Sequence, residues 1–156
     1  MAEELKISAG TKPQKYALLY KQVQALVNGE QDVIANMANV SAMIYATFGF
    51  LWVGFYRVSG EQLVLGPFQG PIACSRIMYG KGVCGTAWKE RSTQCVPDVN
   101  KFPGHIACSS ESLSEVVVPL FDAEKNVVAV LDIDSREYST FDECDVYWLQ
   151  KIVELI

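Results

Sequence analysis

Residues 115–134 read EVVVPLFDAEKNVVAVLDID. Two runs rich in β-branched residues, Glu115–Phe121 and Val127–Asp134, flank a polar pentapeptide, a pattern that predicts an antiparallel hairpin. Towards the N-terminus, Thr93–Val96 makes a brief strand stopped by Pro97, and Val83–Glu90 reads as a short helix that follows the loop Gly80-Lys81-Gly82. Further back, Leu51–Val58 and Gln62–Phe68 form another hairpin around Ser59-Gly60, because glycine supplies the positive φ of a tight reversal. Ile72–Met78 follows that hairpin as a short third strand.

Two helices precede every strand. Between Pro13 and Asn28, Tyr16, Leu19, Tyr20, Val23, Leu26 and Val27 keep the spacing of one helical face, and Asn28-Gly29 ends it. Asp32–Phe48 carries the inward stripe Val33, Met37, Val40, Ile44 and Phe48, stopped by Gly49. A last helix starts at the cap Thr140, with Glu143 as its capping-box partner and Val146, Leu149, Ile152, Val153 and Ile156 facing inward. Residues 97–114 are left as a long irregular stretch of the kind that is usually functional when it lies inside a compact domain. Short strand connections favour an α+β domain with an antiparallel sheet over a doubly wound parallel one. The helices collect on one side, and the short helix and long loop cover the other as a pocket.

At 156 residues and 50% hydrophobic, the chain can fold as one unit without a metal or disulfide staple. Its 13 basic against 18 acidic residues give a net charge of −5 without a basic run, which argues against nucleic acid as a partner. No apolar stretch reaches the ~18 residues of a spanning helix, and the N-terminus lacks the features of a signal peptide. A cytoplasmic protein is expected.

Five cysteines stand at 74, 84, 95, 108 and 144, with no close C-x-x-C pair. They are either buried thiols or redox groups. Cys74, Cys84 and Cys108 fall in or beside loops, which favours a pocket with more than one thiol. Gly80–Gly85 lacks the full spacing of a dinucleotide or Walker loop, so a turn that starts a helix explains it better. His105 and Cys108 are three apart, but a structural zinc site needs four ligands and no second pair is present; no bound metal is expected. Asp132 and Asp134 share a strand face. They are either a solvated strand end or a pocket pair able to hold a cation or supply a general acid. Glu115 has a parallel alternative, as an edge charge that discourages strand addition. Trp52 and Tyr56 also share a face and are core aromatics by default, while Trp88 and Trp148 sit on helices where packing accounts for them.

Taken in order, Leu65–Gly70, Ile72-Ala73-Cys74, Gly80–Ala87, Pro103–Cys108, Ser114-Glu115 and Leu131–Ser135 resemble the free methionine-(R)-sulfoxide reductases, a GAF-domain family. The resemblance runs through nearly the whole chain and implies a single GAF domain over residues 1–156. The implied fold is α+β, a six-stranded antiparallel sheet flanked by helices, with the protein a homodimer. It further implies Cys108 as the catalytic nucleophile, Cys74 as the resolving thiol and Cys84 as an auxiliary thiol. Glu115, Asp132 and Asp134 would contact the substrate, with Trp52 and Tyr56 as the aromatic wall. Cys95 and Cys144 match no functional cysteine. The implied reaction is reduction of free methionine-(R)-sulfoxide with no bound cofactor, recycled by thioredoxin with NADPH through thioredoxin reductase. The competing classes are a non-catalytic GAF module that senses a small ligand and a dimerisation module.

Overall fold

The computed structural model describes residues 4–156. The chain runs α1 (Lys12–Val27), α2 (Val33–Phe48), β1 (Trp52–Ser59), β2 (Gln62–Gln69), β3 (Arg76–Met78), α3 (Gly82–Glu90), β4 (Gln94–Val96), β5 (Ser114–Phe121), β6 (Val127–Ser135) and α4 (Glu143–Val153). The strands form one antiparallel sheet in the order β3-β2-β1-β6-β5-β4. This is the α+β architecture expected from the sequence.

Side-chain alternation along the strands divides the interior into two cores. Val53 and Phe55 of β1, Val116, Val118 and Leu120 of β5, and Ala129, Leu131 and Ile133 of β6 face α1, α2 and α4. The residues between them, Trp52 and Tyr56, Val117, and Val130, face α3 and the loops. Glu115, Asp132 and Asp134 belong by parity to this second face, and all three border its cavity. β5 is covered on its outer side by β4, and Glu115 is buried. Its role as an edge charge is therefore excluded.

Helix ends follow local chemistry, with one correction. Thr11 and Gln14 form a capping box on α1, with Pro13 in the first turn, and Gly49 closes α2 in the left-handed region at φ 66°. α4, however, is capped by Asp142 and not by Thr140. Asp142 accepts from the backbone N–H of Cys144 and Asp145, and the Asp145 carboxylate accepts from the N–H of Asp142. Thr140 instead shares a 2.6 Å hydrogen bond with Ser135. Asp145 decides the register because it is fully buried, accepting from the Tyr16 hydroxyl at 2.6 Å and from Lys12 Nζ at 2.7 Å. Burial disfavours the charge on Lys12, but the carboxylates of Asp145 and Asp142 outweigh it and raise its pKa. The same network seats the start of α1 on the start of α4.

Two further departures matter for the site. The third strand is only Arg76–Met78, so residues 70–75 leave the sheet as a loop carrying Cys74, with Ile72 90% exposed. Within 97–113 one short 3-10 turn forms at Val99–Lys101. The rest is irregular but pinned by Val99 N–H to Leu113 C=O and Leu113 N–H to Ser135 C=O, at 3.0 and 2.8 Å. Among the described residues no helix is long and apolar enough to cross a membrane.

Replacing Asp145 with alanine leaves the buried Tyr16 hydroxyl unpaired and removes a capping partner and an ion pair together. Asp145→Ala is expected to cost ~3–5 kcal/mol, read as a lowered denaturant midpoint at unchanged slope. A loss below ~0.5 kcal/mol would contradict this role.

Candidate active site

The second face of the sheet opens on a cavity of about 50 Å³. Its floor is set by strand register. Glu115 on β5 lies directly opposite Asp134 on β6, and Asp132 is two residues along the same face, so the three carboxyl groups are cross-strand and diagonal neighbours. Asp132 lies opposite Gly54 of β1. A side chain at Gly54 would run into the Trp52 ring and Phe68; its absence lets the indole lie over the strand. There the indole stacks on Phe68 and Tyr56, with ring centroids 5.2 and 5.9 Å away. The cavity thus has an aromatic wall and an acidic floor.

Burial pushes the Glu115 carboxyl well above the usual carboxylate range, and the charges of Asp132 and Asp134 push it further. Burial and Asp132 raise Asp134 in the same way, opposed by a 2.7 Å hydrogen bond from Ser112. Burial also raises Asp132, but hydrogen bonds from Glu115 and Cys84 favour its charged form. All three are therefore shifted toward the protonated form, with Asp132 the member whose anion is best supported. Its Oδ1 is buried with no hydrogen-bond partner among the described residues, leaving one acceptor aimed into the cavity.

Cys84, on α3, is buried with its Sγ 4.0 Å from Glu115 Oε1. Burial, then the charges of Asp132, Glu115 and Asp134, raise its pKa well above the ordinary thiol value. A neutral thiol is a poor nucleophile. Cys74 and Cys108, by contrast, form a disulfide with a Cα–Cα distance of 5.5 Å, joining the loop after β2 to the long loop before β5. Both sulfurs belong to half-buried residues at the cavity mouth. Two pocket aromatics hold the first loop: Trp52 Nε1 donates to the Pro71 carbonyl at 3.1 Å and the Tyr56 hydroxyl donates to the Cys74 carbonyl at 2.9 Å. Burial raises the Tyr56 pKa and the surrounding carboxylates raise it further, so the hydroxyl stays a donor.

All eight site residues expected from the sequence thus converge: Trp52, Tyr56, Cys84, Cys108, Glu115, Asp132 and Asp134 line the cavity, and Cys74 is bonded to Cys108 at its mouth. His105 also borders it, its pKa lowered by burial, and as a neutral ring it gives little electrostatic support to a thiolate. With Cys108 in the disulfide, the His105 and Cys108 metal pair does not form. Among the described residues, the group whose donor atoms approach closely enough to share a cation is instead Cys84, Glu115 and Asp132. Ser112 also lines the cavity but carries no sequence signal, because it lies in an irregular stretch where no periodicity marks a side chain as inward. The turn Gly80–Gly85 spends its first amides internally, Gly80 N–H on Gly85 C=O and Lys81 N–H on Met78 C=O. Gly82, at φ 62°, then enters α3 where a side chain would meet Ile106 at 3.2 Å.

A curled sheet with helices on one face and a loop-covered pocket on the other defines a GAF domain, and the sequence model of the GAF domain matches residues 28–156. GAF domain-containing protein A of Dictyostelium discoideum is 54% identical over 157 residues, covering 100% of this chain and 99% of that protein. The free methionine-R-sulfoxide reductase of Escherichia coli is 44% identical over 143 residues, covering 91% and 86%. The crystal structure of free methionine-R-sulfoxide reductase from Neisseria meningitidis in complex with its substrate superposes with a TM-score of 0.94 at 45% identity, covering 97% and 92% of the two chains. The chain belongs to the GAF-domain family of free methionine-R-sulfoxide reductases, which are oxidoreductases.

Because folding raises the pKa of Glu115, the folded state binds the extra proton, and stability is lost as pH rises from the ordinary carboxylate range through the folded value. Glu115→Gln carries no charge at any pH. It should therefore gain stability over the native protein as pH rises, read as a Tm difference that widens with pH. Parallel Tm-against-pH curves for the two proteins would contradict the buried-acid assignment.

Proposed function

We propose that this protein reduces free methionine-(R)-sulfoxide to methionine, with Cys108 as nucleophile, Cys74 as resolving thiol and the three carboxyls as substrate-binding and proton-donating groups. The observation that carries this reading is the Cys74–Cys108 disulfide at the mouth of a cavity floored by Glu115, Asp132 and Asp134.

A sulfoxide sulfur becomes electrophilic when its oxygen is protonated or firmly hydrogen-bonded, and Glu115 or Asp134, held protonated by burial, meets that need. The Cys108 thiolate attacks sulfur, the S–O oxygen passes to Cys108 as a sulfenic acid, and methionine leaves. Cys74 then attacks the sulfenic sulfur and forms the disulfide, with the oxygen leaving as water. The sum is one sulfoxide and two thiols giving one thioether, one disulfide and one water. A dithiol reductant, thioredoxin supplied by NADPH through thioredoxin reductase, reopens the bridge by exchange. That reductant places the protein in a reducing compartment, the cytoplasm. No bound cofactor enters the cycle.

Selection of the free amino acid follows from charge. Asp132 offers an unpaired buried oxygen to the substrate ammonium, a group that a peptide-bound residue lacks. Trp52 packs the S-methyl group, so a carboxyl on the sulfoxide oxygen and an indole on the methyl together distinguish the sulfur epimers. In this reading residues 1–156 act as a single GAF unit within a homodimer, a state that sedimentation tests directly.

Cys108→Ser should abolish methionine formation, whereas Cys74→Ser should release about one equivalent and stall as a trappable sulfenic acid. Multiple turnover by Cys108→Ser with thioredoxin would overturn the assignment, and binding of the sulfoxide without NADPH loss would mark a GAF ligand sensor. Tyr56→Phe frees the Cys74 carbonyl from its tether. It should slow disulfide closure by up to ~10-fold, the value of one hydrogen bond, with the first burst of methionine unchanged; an equal loss in both steps would contradict a role in holding the Cys74 loop.

A further inference from the structure

The floor of the cavity sets a buried thiol, Cys84, which the proposed reduction does not use, beside two of its carboxyls. Cys84 Sγ, a carboxylate oxygen of Glu115 and one of Asp132 lie within 4.8 Å of one another, and all three residues are buried. Asp132 is only 6% exposed, yet its Oδ1 has no hydrogen-bond partner among the described residues. Leaving such an oxygen unsatisfied is costly, so the cluster favours an incoming donor or cation.

We propose that Cys84, Glu115 and Asp132 bind one thiophilic divalent cation, with Zn²⁺ as the natural occupant and water completing the shell. Magnesium and calcium take oxygen ligands, whereas one sulfur with two carboxylates suits zinc and its spectroscopic stand-ins cobalt and cadmium. Tetrahedral zinc holds ligands at ~2.0–2.3 Å, hence ~3.3–3.8 Å from one another. Side-chain adjustments of about 1 Å close the present spacing to that geometry. The three donors come from α3, β5 and β6, regular elements fixed by sheet register and helix packing. The cavity of about 50 Å³ leaves room for the ion and its water, one water needing ~10–15 Å³ on the same measure. Binding sends the Cys84 thiol proton and the Glu115 carboxyl proton to solvent. Cys84 is free while Cys74 and Cys108 are bridged, so the site exists in the disulfide form. Under the function proposed above, the ion would occupy the carboxylates that hold the substrate ammonium and inhibit the enzyme; binding itself does not rest on that reading.

The test is an optical titration of the disulfide-bonded protein with Co²⁺, in which Cys74 and Cys108 cannot act as ligands. One equivalent should bind, with a sulfur-to-cobalt charge-transfer band and tetrahedral d–d absorption that added Zn²⁺ abolishes. Cys84→Ser should lose the charge-transfer band. Asp132→Asn, which keeps the thiol and the volume of the site, should weaken binding by at least ~10-fold, the lower bound for loss of even an outer partner. The double variant Cys95→Ser/Cys144→Ser should behave like the native protein. The proposal is overturned if no charge-transfer band forms, if it survives Cys84→Ser, if it is lost with Cys95 and Cys144, or if Asp132→Asn binds as tightly as native. Since no substrate is present, such a failure leaves the reduction chemistry standing.

Discussion

Everything in the pocket depends on the pairing of β5 with β6. Each strand alternates between a helix-covered core and the cavity, so the Val116, Val118, Leu131 and Ile133 side chains that lock the register also fix where the intervening residues point. A slip of one residue would turn these aliphatic side chains into the cavity and the carboxyls into the core. Hydrophobic packing on one face thus offsets the cost of crowding Glu115, Asp132 and Asp134 on the other. Their raised proton affinities follow from that forced company and from burial.

Against this fixed floor, the cysteines of the disulfide sit on loops. Cys74 lies where the chain has left the sheet before β3, and Cys108 lies in the long segment before β5. Thiol chemistry that alternates between a sulfenic acid and a disulfide needs sulfurs that can approach and part. Yet the Cys74 loop is not slack, because Trp52 and Tyr56 each donate a hydrogen bond to its backbone. The aromatic wall therefore has two tasks, to shape the cavity and to hold one partner of the bridge. Cys84 is the opposite case: it lies on a helix, buried, with burial and the neighbouring carboxylates raising its pKa, which makes it a poor nucleophile.

Much of this was legible in the sequence because it obeys periodicity. The two hairpins, the helical stripes of α1 and the shared face of Asp132 and Asp134 all follow from periods of 2 and 3.6. The convergence of the cysteines with these acids came through the family resemblance, since periodicity does not pair residues 34 apart. What escaped depends on tertiary partners. Thr140 and Asp142 are both good cap residues with an acid three positions on, and only the buried Tyr16 partner of Asp145 selects the second. Ile72 looks like a strand residue, but side-chain hydrogen bonds divert its backbone and leave it 90% exposed. Val33 fits the spacing of the α2 stripe yet is 47% exposed, because that helix begins to bury its face at Asn36 and Met37. Ser112 and the burial of Glu115 required the strand order itself.

In the proposed cycle Cys108 and Cys74, above a floor of carboxyls whose proton affinity is raised, take the oxidising equivalent of one free sulfoxide. The most direct measurement is mass-spectrometric thiol mapping of the fully reduced protein after one equivalent of free methionine-(R)-sulfoxide, without any external reductant. One methionine released per chain and one new Cys74–Cys108 disulfide are expected, with Cys84, Cys95 and Cys144 still free. A bridge that includes Cys84, or methionine release with Cys74 and Cys108 both left as thiols, would contradict it.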